Sequence, residues 1–402
     1  MSRRPSGRAS DPTLVIGAGP HGLTIAVRLL HERMAHPDEL MVIDPAGRWL
    51  AGWRSAFDAL GIEHLRSPVV HHPHPDPDAL LHFVRQQRRG TELHGQYLSP
   101  GTELFDDFCG RVIDTSGLTG AVTAGRVCSV EPDGTTIWTD PAGVERCIRA
   151  RRIVVASNPM VPFTPAELSG DASANLPDAV HAGDVDRRGI RRGEHVAIVG
   201  GGLTAGHLAC WATSQGARVT LVTRRPLVQR EFDTDPGWLG PRHMRGYLAT
   251  RCPVERARLA IEARGGGSMP GWMLGRLDSL VEDGGLTMDV VTNTDDRRTG
   301  SCGALVEHLI RSEVDHLWCA TGWRLATRRD PVIGPLVQAS SCATVDEFLA
   351  LGPRLELTGT EVPVHVMGRP ATLQLGPTAG NLSGARRGSD LIVGREPDAI
   401  AA

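Results

Sequence analysis

Two short glycine-rich stretches hold the residues of this sequence best suited to chemistry. Gly17-Ala18-Gly19-Pro20-His21-Gly22 follows the apolar run Thr13–Ile16, and Gly200-Gly201-Gly202-Leu203-Thr204-Ala205 follows His195–Val199. In a G-x-G-x-x-G turn the first glycine permits a tight turn and the second lets the backbone approach a pyrophosphate. The third lets a helix pack closely on a strand. The helix that starts there offers free N–H groups and partial positive charge to phosphates. A glycine turn without a ligand has the same local sequence, so the context decides.

At the first turn that context is complete. Asp44, 22 residues after Gly22, ends the run Leu40-Met41-Val42-Ile43, where a carboxylate can accept hydrogen bonds from two ribose hydroxyls. At the second turn the corresponding run, Val219-Thr220-Leu221-Val222, ends in Thr223-Arg224-Arg225, with no acid. A carboxylate would repel a 2′-phosphate, whereas a guanidinium fork binds one through two hydrogen bonds. These patterns predict FAD or NAD at the first site and NADPH at the second. A solvated strand end is the plain alternative for Arg224 and Arg225.

The elements needed to hold these residues follow from periodicity. Residues 13–16 and 40–43 are expected as buried parallel strands and 23–34 as the helix between them, which makes a βαβ unit. A second such unit spans residues 195–222. Alternation and turn residues predict β-strands over 125–156. The Pro-, Gly- and Asp-rich stretch 162–192 is expected as a linker. Further short strands are expected at 317–321 and 364–368, with a last helix from about 380 to 393.

Composition excludes several function classes. The chain has 402 residues, 41% hydrophobic and 22% charged, with a formal charge of −3. That is the make-up of a globular chain of two or three domains, without the basic field that nucleic-acid binding requires. Tyr97 and Tyr247 are its only tyrosines, which argues against a base-stacking platform. No apolar run reaches the ~18 residues of a membrane span. The Arg3-Arg4 pair precedes a stretch better explained as strand and helix than as an export signal. Eight cysteines are scattered with no C-x-x-C pair, which argues against zinc and against a dithiol centre. They fit a reduced, cytoplasmic setting.

The chain resembles the two-dinucleotide-binding-domain flavoproteins, and within them the class B flavin monooxygenases that hydroxylate amines. Four stretches carry the resemblance: residues 17–22, residues 200–205, Asp315-His316-Leu317-Trp318-Cys319-Ala320-Thr321-Gly322-Trp323, and Val364-His365-Val366-Met367-Gly368 with Leu375-Gly376-Pro377. It implies an α/β fold with two Rossmann-type domains, the FAD domain discontinuous and the NADPH domain inserted into it. The expected divisions are a flexible N-terminal tail (1–11), the first part of the FAD-binding domain (12–165), the NADPH-binding domain (190–325) and the C-terminal part of the FAD-binding domain (326–402). The FAD set is then Gly17, Gly19, Pro20, His21, Gly22, Asp44, Trp53, Gly368, Leu375, Gly376 and Pro377. The NADPH set is Gly200, Gly202, Leu203, Thr204, Ala205, Arg224, Arg225, Thr321 and Gly322. The Baeyer–Villiger signature F-x-G-x-x-x-H-x-x-x-W is missing from the sequence, and the residues by which ornithine or lysine hydroxylases hold their amino acid are not identifiable.

Other candidates are weaker. His64-Leu65-Arg66-Ser67-Pro68 echoes a segment beside the flavin in amine N-hydroxylases, Ser99 to Phe108 echoes a helix start of theirs, and Val180-His181-Ala182-Gly183 echoes their linker histidine. His71, His72, His74 and Asp76 are metal-binding types. However, the alternating prolines hold this stretch extended, so neighbouring rings point apart, unlike an i, i+4 helical pair. No metal is expected. A loop with Arg66, His71 or His72 near the flavin ring is preferred, and plain surface exposure is the alternative. The loop 233–238 is expected to close over the nicotinamide, to line the substrate's path, or to be ordinary surface. Trp49 and Trp53 flank the flavin or serve the core.

The resemblance implies that NADPH reduces FAD, and that the reduced flavin reacts with O2 to a C4a-hydroperoxide that passes one oxygen to a nucleophilic atom of a small-molecule substrate. N-hydroxylation of an amine or amino acid is expected. The alternatives are S-oxygenation, a Baeyer–Villiger-type oxidation, or an NADPH-dependent flavin reductase or dehydrogenase that does not activate O2. The sequence leaves both a monomer and a homo-oligomer open.

Overall fold

In a computed structural model the described residues are 11–168, 175–291 and 303–395. Residues 1–10 of the expected N-terminal tail (1–11) and Cys302 therefore lie outside them. Two five-stranded parallel sheets organise the chain. The first runs in the order Val364–Val366, Arg152–Val155, Thr13–Ile16, Leu40–Asp44, Val122–Ala124. All four residues of Thr13–Ile16 are buried, as expected for a strand covered on both faces. Helix Pro20–His31 covers one face and is itself overlaid by helix Leu382–Val393. Arg28 and Asp390 pair across these helices at 2.6 Å. A three-stranded antiparallel sheet (Arg126–Val130, Thr135–Thr139, Glu145–Arg149) follows the last strand of this sheet.

The second sheet has the order Ala179–His181, His316–Cys319, His195–Val199, Arg218–Thr223, Leu286–Val290. In both sheets the strand that precedes the glycine turn lies centrally. Its βαβ partner sits on one side, and a strand from later in the chain on the other. Strand order therefore reverses at that central strand, and crevices for ligands open beyond the carboxyl ends of such strands. Two antiparallel strands, Met160–Pro162 and Trp323–Leu325, connect the sheets, with Val161 opposite Arg324. The Arg324 guanidinium lies 3.7 Å from the Phe163 ring centroid.

Several features depart from the sequence expectation: residues 179–181 of the expected linker form the edge strand of the second sheet, and both ends of the helical set shift for local reasons. The first helix begins at Pro20, not at residue 23, because proline at the first helical position lacks an N–H that would be unpaired there anyway. The last begins at Leu382, because the Asn381 carboxamide oxygen accepts from the Gly384 N–H at 3.2 Å and caps it. Helices Pro241–Ala249 and Pro253–Arg264 were not anticipated. They lie in the chain between strands Arg218–Thr223 and Leu286–Val290 of the second sheet, which with its helices forms the second fold, and pack on the C-terminal segment. There Tyr247 Oη donates to the Thr372 carbonyl at 2.7 Å and Arg256 Nη1 to that of Leu373 at 3.2 Å.

Candidate functional site

A cavity of about 750 Å³ opens at the carboxyl end of the first sheet. The turn at its floor is shaped by two glycines acting differently. A Cβ on Gly22 would fall 1.9 Å from the Gly17 carbonyl oxygen, so helix and strand meet only because that position has no side chain. A Cβ on Gly19 would meet nothing within 4 Å, so the backbone there faces open space of the kind a pyrophosphate fills. Asp44 Oδ2 accepts from the Ala18 N–H at 3.0 Å and Oδ1 from the Ala46 N–H at 2.9 Å, which aims the carboxylate at the cavity while leaving lone pairs for a ribose. His21 Nε2 lies 3.0 Å from the Ala379 carbonyl, and burial lowers its pKa, so the neutral ring donates there. That bond ties the start of the first helix to the segment leading into Leu382–Val393. Both helix N-termini therefore line one cavity and favour a negatively charged group.

Facing this floor is a junction with the second fold. Arg66 directs every donor of its guanidinium at that fold. Nε donates to the Glu231 carbonyl (2.9 Å), Nη1 to Asp233 Oδ1 (3.2 Å) and the Ser268 carbonyl (3.0 Å). Nη2 donates to the carbonyls of Arg230 (2.7 Å) and Phe232 (3.0 Å) and to Ser268 Oγ (3.0 Å). Arg66 lines the cavity but is consumed as a clamp that brings Phe232 and Asp233 to the opening. His71 also lines it. Burial, and then the nearby Arg386, push its pKa down to about 4, so the ring is neutral near pH 7.

The second cavity, about 430 Å³, opens on the second turn. A Cβ on Gly200 (φ +148) would fall 2.3 Å from the Ala320 carbonyl oxygen. Arg224 and Arg225 are exposed at the strand end and line this cavity. Thr223 Oγ1 donates to the Arg225 carbonyl at 2.8 Å and shapes that end. The Arg225 guanidinium lies over Gly266, where a Cβ would fall 2.2 Å from Nη2, so the run 265–267 leaves room for it. Thr321 and Gly322 form the opposite wall. The Gly322 carbonyl accepts from Phe163 N–H at 3.0 Å and lies 2.9 Å from His181 Nε2, and Thr321 Oγ1 donates to the Phe163 carbonyl.

The structure brings together most of the residues singled out from sequence. Gly17, Gly19, Pro20, His21, Asp44, Trp53, Arg66, His71 and Gly368 line the first cavity, and Gly200, Gly202, Thr204, Arg224, Arg225, Thr321 and Gly322 the second. Others lie elsewhere. Gly22 acts behind the turn. His72 is fully buried, edge-on to Phe108 at 5.0 Å, with its pKa pushed down to about 3 by burial first. It is a core residue because Arg386 draws the carbonyls of His72, His74 and Pro75 inward. Leu375 is wholly buried. Gly376 (φ +75) turns against Met244, and the Pro377 carbonyl accepts from Arg264 Nη1 at 3.1 Å. Leu203 packs against the core of the second fold and Ala205 lies within it. Trp49 donates to the Leu118 carbonyl at 3.0 Å from the core.

Sequence reasoning missed Phe57, Asn158, Leu239, Asn381 and Leu382, which also line the first cavity. Only Asn381, as a helix cap, left a readable signal. Among the described residues no group of three or more His, Cys, Asp or Glu is placed to hold a metal ion, and no helix is long and apolar enough to cross a membrane.

The family described as pyridine nucleotide-disulphide oxidoreductase matches residues 11–237. No curated protein sequence matches the chain. Among solved structures, an ornithine hydroxylase from Pseudomonas aeruginosa is similar with a TM-score of 0.70 at 16% identity, over 96% of this chain and 98% of that one. A cadaverine monooxygenase from Erwinia amylovora, solved with FAD, gives 0.70 at 15%, over 96% and 94%. A bacillithiol disulfide reductase from Bacillus cereus gives 0.55 at 16%, over 95% and 97%. At these identities the likeness establishes the fold.

Proposed function

The chain belongs to the pyridine nucleotide-disulphide oxidoreductase family, and from that premise we propose that it is an FAD- and NADPH-dependent monooxygenase that N-hydroxylates an amine or amino acid. The observation that carries this reading is the pair of glycine turns, each open to a cavity and each finished by a different strand end. Asp44 suits the ribose of FAD and Arg224-Arg225 suits the 2′-phosphate of NADPH. Disulfide chemistry, which the family description includes, lacks its residues here. The seven described cysteines are all free and none lines the first cavity, where a flavin would meet them. The better superposition on two amine hydroxylases than on a disulfide reductase points the same way.

FAD, when bound, would supply the redox chemistry that links NADPH, O2 and the substrate. The chain supplies position and surroundings. Gly17, Gly19 and the N-terminus of Pro20–His31 hold the pyrophosphate of FAD, and Asp44 its ribose. The N-terminus of Leu382–Val393 places partial positive charge beside the cavity. Trp53, Phe57, Phe232 and Leu239 make its walls apolar and exclude water. His71, neutral near pH 7, lines the cavity without adding charge to it. The scattered free cysteines favour a cytoplasmic setting.

The test is to follow NADPH oxidation by the purified yellow protein with and without O2 across a panel of amines, sulfides and ketones, and to assay for hydroxylamine. Oxygen-dependent hydroxylamine formation is expected from an amine. Turnover that ignores O2, or oxygenation of a sulfide or ketone alone, overturns the N-hydroxylase reading. A colourless protein that takes up no FAD overturns the cofactor assignment as well.

A further inference from the structure

Between helices Pro253–Arg264 and Gly271–Glu282 runs the loop Gly265-Gly266-Gly267-Ser268, and its glycines have different reasons to be glycine. Gly265 (φ +57) ends the first of these helices in a backbone conformation that disfavours any side chain. Gly266 and Gly267 are not at positive φ, so their surroundings, not their backbone, set the constraint. A Cβ on Gly267 would fall 2.8 Å from both N and Cα of Gly202, inside the second glycine turn. A Cβ on Gly266 would overlap Arg225 Nη2 and lie 3.0 Å from its Cζ. One glycine therefore lies against the phosphate cradle, and its neighbour lies against a cation at the strand end.

The loop itself is firmly held. The Ser268 carbonyl and Oγ each accept from Arg66 at 3.0 Å, and the Arg264 carbonyl accepts from Arg230 Nη1 at 3.1 Å. Met269 pairs through its backbone with Val228 (3.0 Å) and Arg230 (2.9 Å). The Arg225 side chain is held lightly. Among the described residues its exposed guanidinium makes one hydrogen bond, from Nη2 to the Gly267 carbonyl at 3.4 Å, near the outer limit for such a bond. Its other donors remain for the cavity that Arg225 and Gly267 both line. We infer that Gly266 is the positioning residue for recognition of the 2′-phosphate of NADPH, its bare backbone being the bed on which the Arg225 guanidinium lies at the cavity's edge. Gly267 instead closes on the turn that NADPH and NADH would share. This rests on the NADPH reading of the second site and not on the reaction at the first.

The test titrates the FAD-loaded protein calorimetrically with NADP+ and NAD+, which differ only in the 2′-phosphate and leave the flavin oxidised. Gly266→Ala displaces the far end of a flexible side chain and no backbone, so its melting temperature should match that of wild type. NADP+ should bind about tenfold more weakly, as for loss of a hydrogen bond to a charged group, and NAD+ as before. In an Arg225→Ala background the same substitution should have no further effect, because the group that it displaces is gone. Gly267→Ala should weaken both nucleotides alike. While wild type prefers NADP+, an unchanged preference in Gly266→Ala overturns the inference and leaves the NADPH reading standing. So does an equal loss with Arg225 present and absent, or a loss confined to NADP+ in Gly267→Ala. A wild type with no preference for NADP+ overturns both. A preference that depends on Gly266 and Arg225, together with no hydroxylamine from any amine, supports the inference and overturns only the N-hydroxylase reading.

Discussion

The turn after Thr13–Ile16 and the turn after His195–Val199 begin alike. Each first glycine has positive φ (+103 at Gly17, +148 at Gly200) and donates its N–H to the neighbouring strand, to Ile43 and Val222 respectively, at 2.9 Å in both. Each lies against the backbone of the crossover strand on its other side, at Ala156–Ser157 and at Ala320. They diverge at the third small residue, Gly22 against Ala205, and at the strand end, Asp44 against Arg224-Arg225. One backbone plan thus serves two ligands. The turn supplies the phosphate cradle common to both, and the strand end decides what the ribose carries.

The largest effect is expected where the turns differ in how closely helix meets strand. Gly22→Ala places a methyl group 1.9 Å from the Gly17 carbonyl oxygen, and the first helix cannot move because Leu382–Val393 lies over it. A loss of roughly 3 kcal/mol or more is expected, as for overpacking with rigid neighbours. The measurement is flavin content of the purified variant together with its melting curve. A yellow protein with unchanged melting breaks the comparison.

Next in size is the clamp between the folds. Arg66→Ala removes six hydrogen bonds and leaves carbonyls of residues 230–232 and 268 in need of water. With net values of about 1 kcal/mol per bond, partly recovered by solvent, a loss on the order of 3 kcal/mol is expected. Because the clamp joins the two folds, denaturant unfolding followed by flavin release and by far-UV circular dichroism should separate into two transitions in the variant. A single transition would show that other contacts at the junction suffice.

Acid distinguishes the folds in a similar way. His71 and His72 of the first fold ionise near 6.5 when unfolded and are held down to about 4 and about 3 when folded, chiefly by burial. The unfolded chain therefore binds more protons as pH falls below 6.5. Stability is full above that value and declines toward pH 4, by about 3 kcal/mol for His71 alone. The second fold carries one comparable group, His207, at about 4. Flavin release should thus precede loss of NADPH binding as pH is lowered from 7 to 4.5, and His72→Leu should narrow the gap. Simultaneous loss would sink the distinction.

Much of this contrast was readable in the sequence, because both turns and both strand ends are local. Residues 13–44 and 195–225 each fall within one βαβ unit, where spacing and burial period determine the outcome. The junction was not readable. Arg66 and Asp233 are 167 positions apart, and nothing near residue 66 signals that its donors point at the carbonyls of residues 230–232. The same holds for helices Pro241–Ala249 and Pro253–Arg264, whose packing on residues 372–377 draws on long-range partners. His72 looked equivalent to His71 until the tertiary contacts of Arg386 separated them. At the second strand end, replacing Arg224 and Arg225 together by alanine should weaken NADPH about a hundredfold and leave NADH unchanged, the value of one to two charge-assisted hydrogen bonds. Equal losses for both nucleotides would mean that the pair does not read the 2′-phosphate.

The smallest effect is the reverse of the largest. Ala205 occupies the position of Gly22, yet its methyl group is fully buried in the core of the second fold, so the second helix stands far enough from its turn to accept a side chain. Ala205→Gly should therefore relieve nothing. It should cost about 1 kcal/mol through the greater freedom of glycine in a helix and the lost methyl contact, and leave the dissociation constants for NADPH and NADH where they were. A gain in stability would mean that the second turn is strained as the first would be by alanine. The difference between the two turns would then lie in their ligands alone and not in how closely each helix meets its strand.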